Sequence, residues 1–136
     1  MIQRLATLLI LSLCLPCITS QADETITRGS SLSVDVAANG RLVVDLAGDI
    51  WTIPQAGGDA AKLIEGFGSA RRPRWSPDGS RVVYTAIVNQ EHGMWVHDTV
   101  SQQTVSISEN AHFDLHPTWH PDGERVTYAS DRTGKG

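Results

Sequence analysis

The sequence predicts an all-β fold, an incomplete β-propeller of about 2.5 four-stranded antiparallel blades behind an N-terminal export signal. Three observations carry this expectation. A 14-residue segment recurs 44 residues downstream, short β-rich runs separated by turn residues follow each copy, and no segment after Ala22 keeps a helical period.

The repeat is read first because it decides the fold class. Pro73-Arg74-Trp75-Ser76-Pro77-Asp78-Gly79-Ser80-Arg81-Val82-Val83-Tyr84-Thr85-Ala86 matches Pro117-Thr118-Trp119-His120-Pro121-Asp122-Gly123-Glu124-Arg125-Val126-Thr127-Tyr128-Ala129-Ser130. Pro, Trp, Pro-Asp-Gly, Arg-Val and Tyr recur without a gap, eight identities in 14 positions. A third, degraded copy lies upstream over Val34–Asp45, with Asn39-Gly40-Arg41 set against Asp78-Gly79-Ser80 and Val36 in place of the Trp. A β-sandwich also spaces short strands regularly, but it does not repeat its own sequence.

Each copy has the same local grammar. A short strand ends near the Trp, and a turn reverses the chain at Asn39-Gly40, Pro77-Asp78-Gly79 or Pro121-Asp122-Gly123. Pro presets the first corner of a turn, and Asp-Gly tolerates the positive φ that hairpins need. A β-rich strand follows, Arg81 to Ala86 in the second copy. A polar loop, Asn89 to Gly93, then leads to a third strand over Met94–His97, and Thr104–Ile107 forms the last. In the first copy the third strand is Asp49–Ile53, Gln55-Ala56-Gly57-Gly58 the turn and Lys62–Ile64 the last strand. Trp51 and Trp95 are again 44 apart. The blades are expected over 33–66, 67–110 and 111–136. The third stops in a turn at Thr133-Gly134-Lys135-Gly136, which predicts a truncated frame or fragment, with self-association of short chains into a ring as the alternative.

The N-terminus reads as a secretory signal peptide. Arg4 is followed by the 11-residue apolar run Leu5–Leu15 and the small residues Ser20 and Ala22, which predicts cleavage after Ala22 and a short linker, 23–32. The run is shorter than the roughly 20 residues of a membrane span. Lipid attachment at Cys14 or Cys17 is disfavoured by the Leu and Pro that precede them. Both cysteines lie in the leader, so the mature 114 residues form no disulfide or thiolate site. Their charge is 15 acids against 10 bases, or −5, which argues against nucleic-acid binding. The basic cluster Arg71-Arg72-Pro73-Arg74 reads as a solvated loop.

Trp-Ser-Pro-Asp-Gly and Trp-His-Pro-Asp-Gly, each followed by Arg-Val and an aromatic, resemble the WD-like repeat of TolB-type β-propellers. Tyr128-Ala129-Ser130-Asp131-Arg132-Thr133-Gly134 resembles that family's strand-to-turn passage. The resemblance covers about Ser33 to Gly136 and implies a periplasmic or secreted protein. Only about ten residues separate the leader from the first blade, where TolB itself carries an α/β domain. The stretch Leu32–Trp51 is similar to the opening blade of amidohydrolase-linked propellers. Similar repeats also occur in tricorn-like and prolyl-oligopeptidase-like peptidases.

The candidate site residues are fold-specifying rather than chemical. The repeated turns Asn39, Gly40, Pro77, Asp78, Gly79, Pro121, Asp122 and Gly123 are expected to be structural, since a single active site does not need copies. Trp51, Trp75, Trp95 and Trp119 are expected to pack blade on blade. His112, His116 and His120 recur every four residues, but on a strand that spacing is about 13 Å, beyond the reach of one metal ion with bonds of about 2.1 Å. No nucleophile elbow, His-Glu-x-x-His or phosphate loop is present. No catalytic residue, metal or cofactor is therefore assigned. The expected function is a non-catalytic exported scaffold that binds a protein or peptide, by resemblance an envelope protein such as a peptidoglycan-associated one. The alternative is the leading propeller of an exported amidohydrolase or peptidase whose catalytic domain lies outside this sequence.

Overall fold

The computed structural model describes residues 32–66, 69–108 and 112–132. The predicted leader 1–22, nearly all of the linker and the closing turn 133–136 lie outside the described residues. The described residues are all-β and form three antiparallel sheets of four, four and two strands. Blade 1 comprises β1 (Val34–Val36), β2 (Leu42–Leu46), β3 (Asp49–Ile53) and β4 (Ala61–Ile64). Blade 2 comprises β5 (Arg71–Trp75), β6 (Arg81–Val88), β7 (Glu91–Asp98) and β8 (Thr104–Ser106). Blade 3 comprises β9 (Asp114–Trp119) and β10 (Val126–Ser130). Strands pair in chain order within each blade. The first strand of each later blade packs against the first two strands of the blade before it, β5 on β1 and β2, and β9 on β5 and β6, so the first strands lie side by side.

The repeated turns form as their residues dictate. Gly40, Gly79 and Gly123 have φ of 78°, 70° and 72°. Each donates its N–H to the carbonyl three residues back, on Ala37, Ser76 and His120. The amides of Ala37, Ser76 and His120 in turn donate to the carbonyls of Arg41, Arg81 and Arg125. This pairing corrects the alignment read from sequence. The first turn is one residue shorter, so the counterpart of Arg81 is Arg41, and Ser80 has no equivalent in blade 1.

Two other expectations change. The polar loop Asn89–Gly93 is a two-residue turn, because Asn89 and Gln90 both take positive φ (53° and 68°). That geometry matches the twist of the flanking strands, so β6 and β7 pair without interruption from Arg81↔Asp98 to Val88↔Glu91. The basic cluster Arg71-Arg72-Pro73-Arg74 lies on strand β5 rather than in a loop. It carries a bulge there, with the register shifting between Arg71 and Arg74 and Arg72 at φ 54°. His116, also directly before a Pro, repeats this at φ 55° in β9. The prolines remove a ladder donor at both places, which a bulge accommodates.

Strand alternation sends every second residue across a seam. Val43 and Asp45 on β2, with Arg41 just before it, face blade 2. On β6, Val82, Tyr84 and Ala86 face blade 1, while Arg81, Val83 and Thr85 face blade 3. The core is the first seam, where Ala37, Val43, Ile50 and Ile64 meet Ala70, Trp75, Val82, Tyr84 and Ala86. Burying a Val or Ile side chain in this way contributes about 1.5–3 kcal/mol. Neither blade could bury that face alone.

Candidate functional site

The chemistry-bearing residues gather along the two seams. At the first, the Arg41 guanidinium lies 4.3 Å from the Trp75 ring centroid and donates to the Gly79 carbonyl at 3.0 Å. At the second, Arg81 repeats both contacts one blade on, 4.8 Å from the Trp119 centroid and 2.6 Å from the Gly123 carbonyl. The Trp119 indole N–H also donates to the Arg74 carbonyl at 3.0 Å. Each Arg therefore latches the Trp and turn Gly of the following blade.

Two aspartates hold the first seam from the other side. Asp35 Oδ2 accepts the Trp75 N–H at 2.8 Å. Buried Asp45 accepts the N–H of Ser33 on Oδ1 and of Arg72 on Oδ2, both at 2.7 Å. The Arg72 amide is freed for this by its bulge.

The turn aspartates are anchored locally. Asp78 accepts the Ser76 hydroxyl and the Ser80 hydroxyl and amide, and these bonds hold its carboxyl down at about 2. Asp122 accepts the Glu124 amide at 2.9 Å and Arg125 Nε at 2.8 Å, which holds it well below the usual carboxylate range. Pro77 and Pro121 are exposed turn corners, and the Asn39 side chain accepts the Arg41 amide at 3.1 Å. Trp75 is buried in the first seam, and Trp95 packs against the same core. Trp51 lies under Lys62 Nζ at 5.1 Å.

The three histidines separate. His112 Nδ1 is 3.6 Å from Asp131 Oδ1, His116 Nε2 is 3.2 Å from Arg72 Nη1, and His120 Nδ1 is 2.9 Å from Asp122 Oδ2. Among the described residues no group of three or more His, Cys, Asp or Glu side chains is arranged to hold a metal ion. Elsewhere, buried His97 bonds Thr104 Oγ1 through Nδ1 at 2.9 Å, and burial pushes its imidazole pKa down.

Where the first strands converge, a cleft of about 360 Å³ opens between the three blades. Asp35, Arg74 and Thr118, from β1, β5 and β9, line it together with Val36, Pro77 and Trp119. Arg74 and Asp35 are partly exposed and Val36, Pro77 and Thr118 are exposed, so the cleft presents a cation, a hydroxyl and apolar surface beside a carboxylate that is already engaged by the Trp75 amide.

Sequence reasoning passed over Arg41, Arg81, Asp35 and Asp45. Arg81 and Arg125 recur in the repeat and could have been marked. Arg41 was hidden by the shorter turn, and the two aspartates act across a seam that has no trace in local pattern.

Two four-stranded antiparallel blades and a two-stranded third, packed blade on blade, define this as a TolB-like β-propeller fold. The chain is similar to the Tol-Pal system protein TolB of Nitratidesulfovibrio vulgaris, at 34% identity over 59 residues, 43% of this chain and 13% of that protein. It superposes on TolB from Acinetobacter baumannii with a TM-score of 0.65 at 21% identity, over 76% of this chain and 27% of that one. The β-propeller domain of the Trilobed protease from Pyrococcus furiosus gives 0.56 at 16% identity, over 74% of this chain and 34% of that one. No protein-family model matches the chain. The chain thus spans a minor part of each protein it resembles.

Proposed function

We propose that this chain is a non-catalytic, exported propeller module that binds a protein or peptide in the cleft where β1, β5 and β9 converge. The observation that carries the reading is the cleft's lining, in which Arg74 and Thr118 stand beside the exposed apolar surface of Val36 and Pro77. A cation, a hydroxyl and apolar contacts within a few residues suit an extended peptide with an acidic group. The likeness to a Tol-Pal system protein supports an envelope protein as the partner and the periplasm as the location.

Titration calorimetry of the chain against a soluble peptidoglycan-associated protein tests this. Saturable heat is expected, with Arg74→Glu weakening binding at least about tenfold, the worth of one charged contact. Binding indifferent to Arg74→Glu and to Thr118→Lys would reject the cleft as the site.

The likeness to a protease's propeller domain supports a second reading, a leading domain of an exported hydrolase. Translating the genomic DNA past Gly136 separates the two. A continuing frame with further blades and then a nucleophile elbow or His-x-His ligands favours the hydrolase.

A further inference from the structure

The latch has three copies of its Arg and two acceptors among the described residues. Arg41 takes Trp75 and the Gly79 carbonyl, and Arg81 takes Trp119 and the Gly123 carbonyl. Arg125 occupies the same place in blade 3, since its carbonyl accepts the His120 amide as that of Arg81 accepts the Ser76 amide. Its side chain is 68% exposed and folds back on Asp122, with Nη2 2.8 Å from Oδ2. The neighbouring positions on its face, Thr127 and Ala129, are exposed, whereas their counterparts Val83 and Thr85 are buried under blade 3.

The opposite end of the molecule is the matching half. Val36 stands where Trp75 stands in blade 2. Trp75 is 5% exposed because blade 1 covers it, while Val36 is 58% exposed. Leu32 and Val34 beside it are 55% and 52% exposed, and together they make an apolar strip. The Gly40 carbonyl occupies the position from which Gly79 and Gly123 accept an Arg.

We propose that two copies of this chain associate head to tail, the Arg125 face of one seating on the Leu32–Val34–Val36 strip of the next. Arg125 donates to the partner copy's Gly40 carbonyl, and its stem, Thr127 and Ala129 cover the strip. The second copy is the fitting occupant because the interface continues the geometry of the two seams inside the chain. The rearrangement is cheap, since the exposed Arg125–Asp122 pair that must open is worth little. The absent Trp makes this seam weaker than the internal ones, so association is reversible and concentration-dependent. A head-to-tail contact uses two different faces, and it closes into a ring or grows into a chain.

That asymmetry supplies the test. Sedimentation velocity of the full chain over a concentration series should show mass rising with concentration. Arg125→Glu kills the tail face and Val36→Glu the head face, so each variant alone should stay monomeric. Their equimolar mixture retains one good tail and one good head, and it should form dimers and nothing larger. Arg125→Ala should raise the dissociation constant about tenfold through loss of the charged hydrogen bond. Both sites are exposed, and unchanged far-ultraviolet circular dichroism verifies that the variants are folded. A wild-type chain that stays monomeric, variants that associate like wild type through the apolar run Leu5–Leu15, or a mixture that stays monomeric would each overturn the proposal. Val36 lines both the strip and the cleft, so the two readings are separated by the other variants: Arg74→Glu lies off the docking faces and should associate normally, while Arg125→Glu lies outside the cleft and should bind peptide normally.

Discussion

The guanidinium of Arg41 lies over the Trp75 ring at 4.3 Å, although the two residues belong to different blades. Arg81 and Trp119 repeat this at 4.8 Å. The seam between blades is thus held by a cation on a ring and a hydrogen bond to a turn carbonyl, in addition to buried apolar area.

Removing that pair should weaken the seam. Arg81→Ala loses the ring contact and the bond to the Gly123 carbonyl. The expected cost is about 1–3 kcal/mol in urea unfolding, with Arg81→Lys only partly restoring it because Lys lacks the planar fork. A double-mutant cycle with Trp119→Ala should give a coupling of about 0.5–2 kcal/mol. A coupling near zero would mean that the two side chains merely lie close.

Asp45 should be the most sensitive polar residue at the first seam. Asp45→Ala leaves the amides of Ser33 and Arg72 without their acceptor, at an expected cost of about 2–4 kcal/mol. Hydrogen exchange at the Arg72 amide should accelerate in the same variant. Slow exchange there would refute the bridging role.

The turn glycines should resist substitution by branched residues. Gly123 has φ 72°, and a Cβ there would lie 3.7 Å from Pro77 Cδ and 3.9 Å from Arg81 Nη2. Space is sufficient, so the cost is the backbone conformation, about 1–3 kcal/mol for Gly123→Val. Gly123→Asn should cost clearly less, because Asn tolerates the left-handed region. Equal melting temperatures for the two variants would contradict the assigned turn.

Stability should fall with mild acid through His97. Burial holds its folded-state pKa below the 6.5 of the unfolded chain, and the Asp98 carboxylate opposes this only in part. Between those two values the unfolded chain binds more protons, so stability rises with pH. The contribution of neutral His97 is therefore complete above about pH 6.5 and is lost as pH falls toward the folded value. His97→Gln should flatten the dependence of urea midpoint on pH between about 5 and 7. An unchanged slope would place the acid sensitivity elsewhere.

Much of the fold was legible because it is written locally. Pro77-Asp78-Gly79 and Pro121-Asp122-Gly123 announce their turns through the φ that only such residues adopt easily. The strands at Asp49–Ile53 and Arg81–Ala86 follow from β-branched residues between those turns. The loop assigned to Asn89–Gly93 failed because Gly93 looks like a breaker, whereas pairing with Ala86 keeps it inside β7. The basic cluster failed similarly. Its charges suggest solvent, but Pro73 is buried and β5 is one of the strands on which the blades converge.

By itself, the sequence determined the class of fold, the repeat and the turns, since each depends on residues close together in the chain. Only the tertiary structure decided what the repeated residues do. That Arg41 donates to the Gly79 carbonyl, that Asp45 accepts the Arg72 amide and that Arg74 and Thr118 share a cleft are relationships between blades, 27 to 44 residues apart in the chain. Local propensity is blind at that range, because such contacts exist only once apolar burial has stacked one sheet on the next.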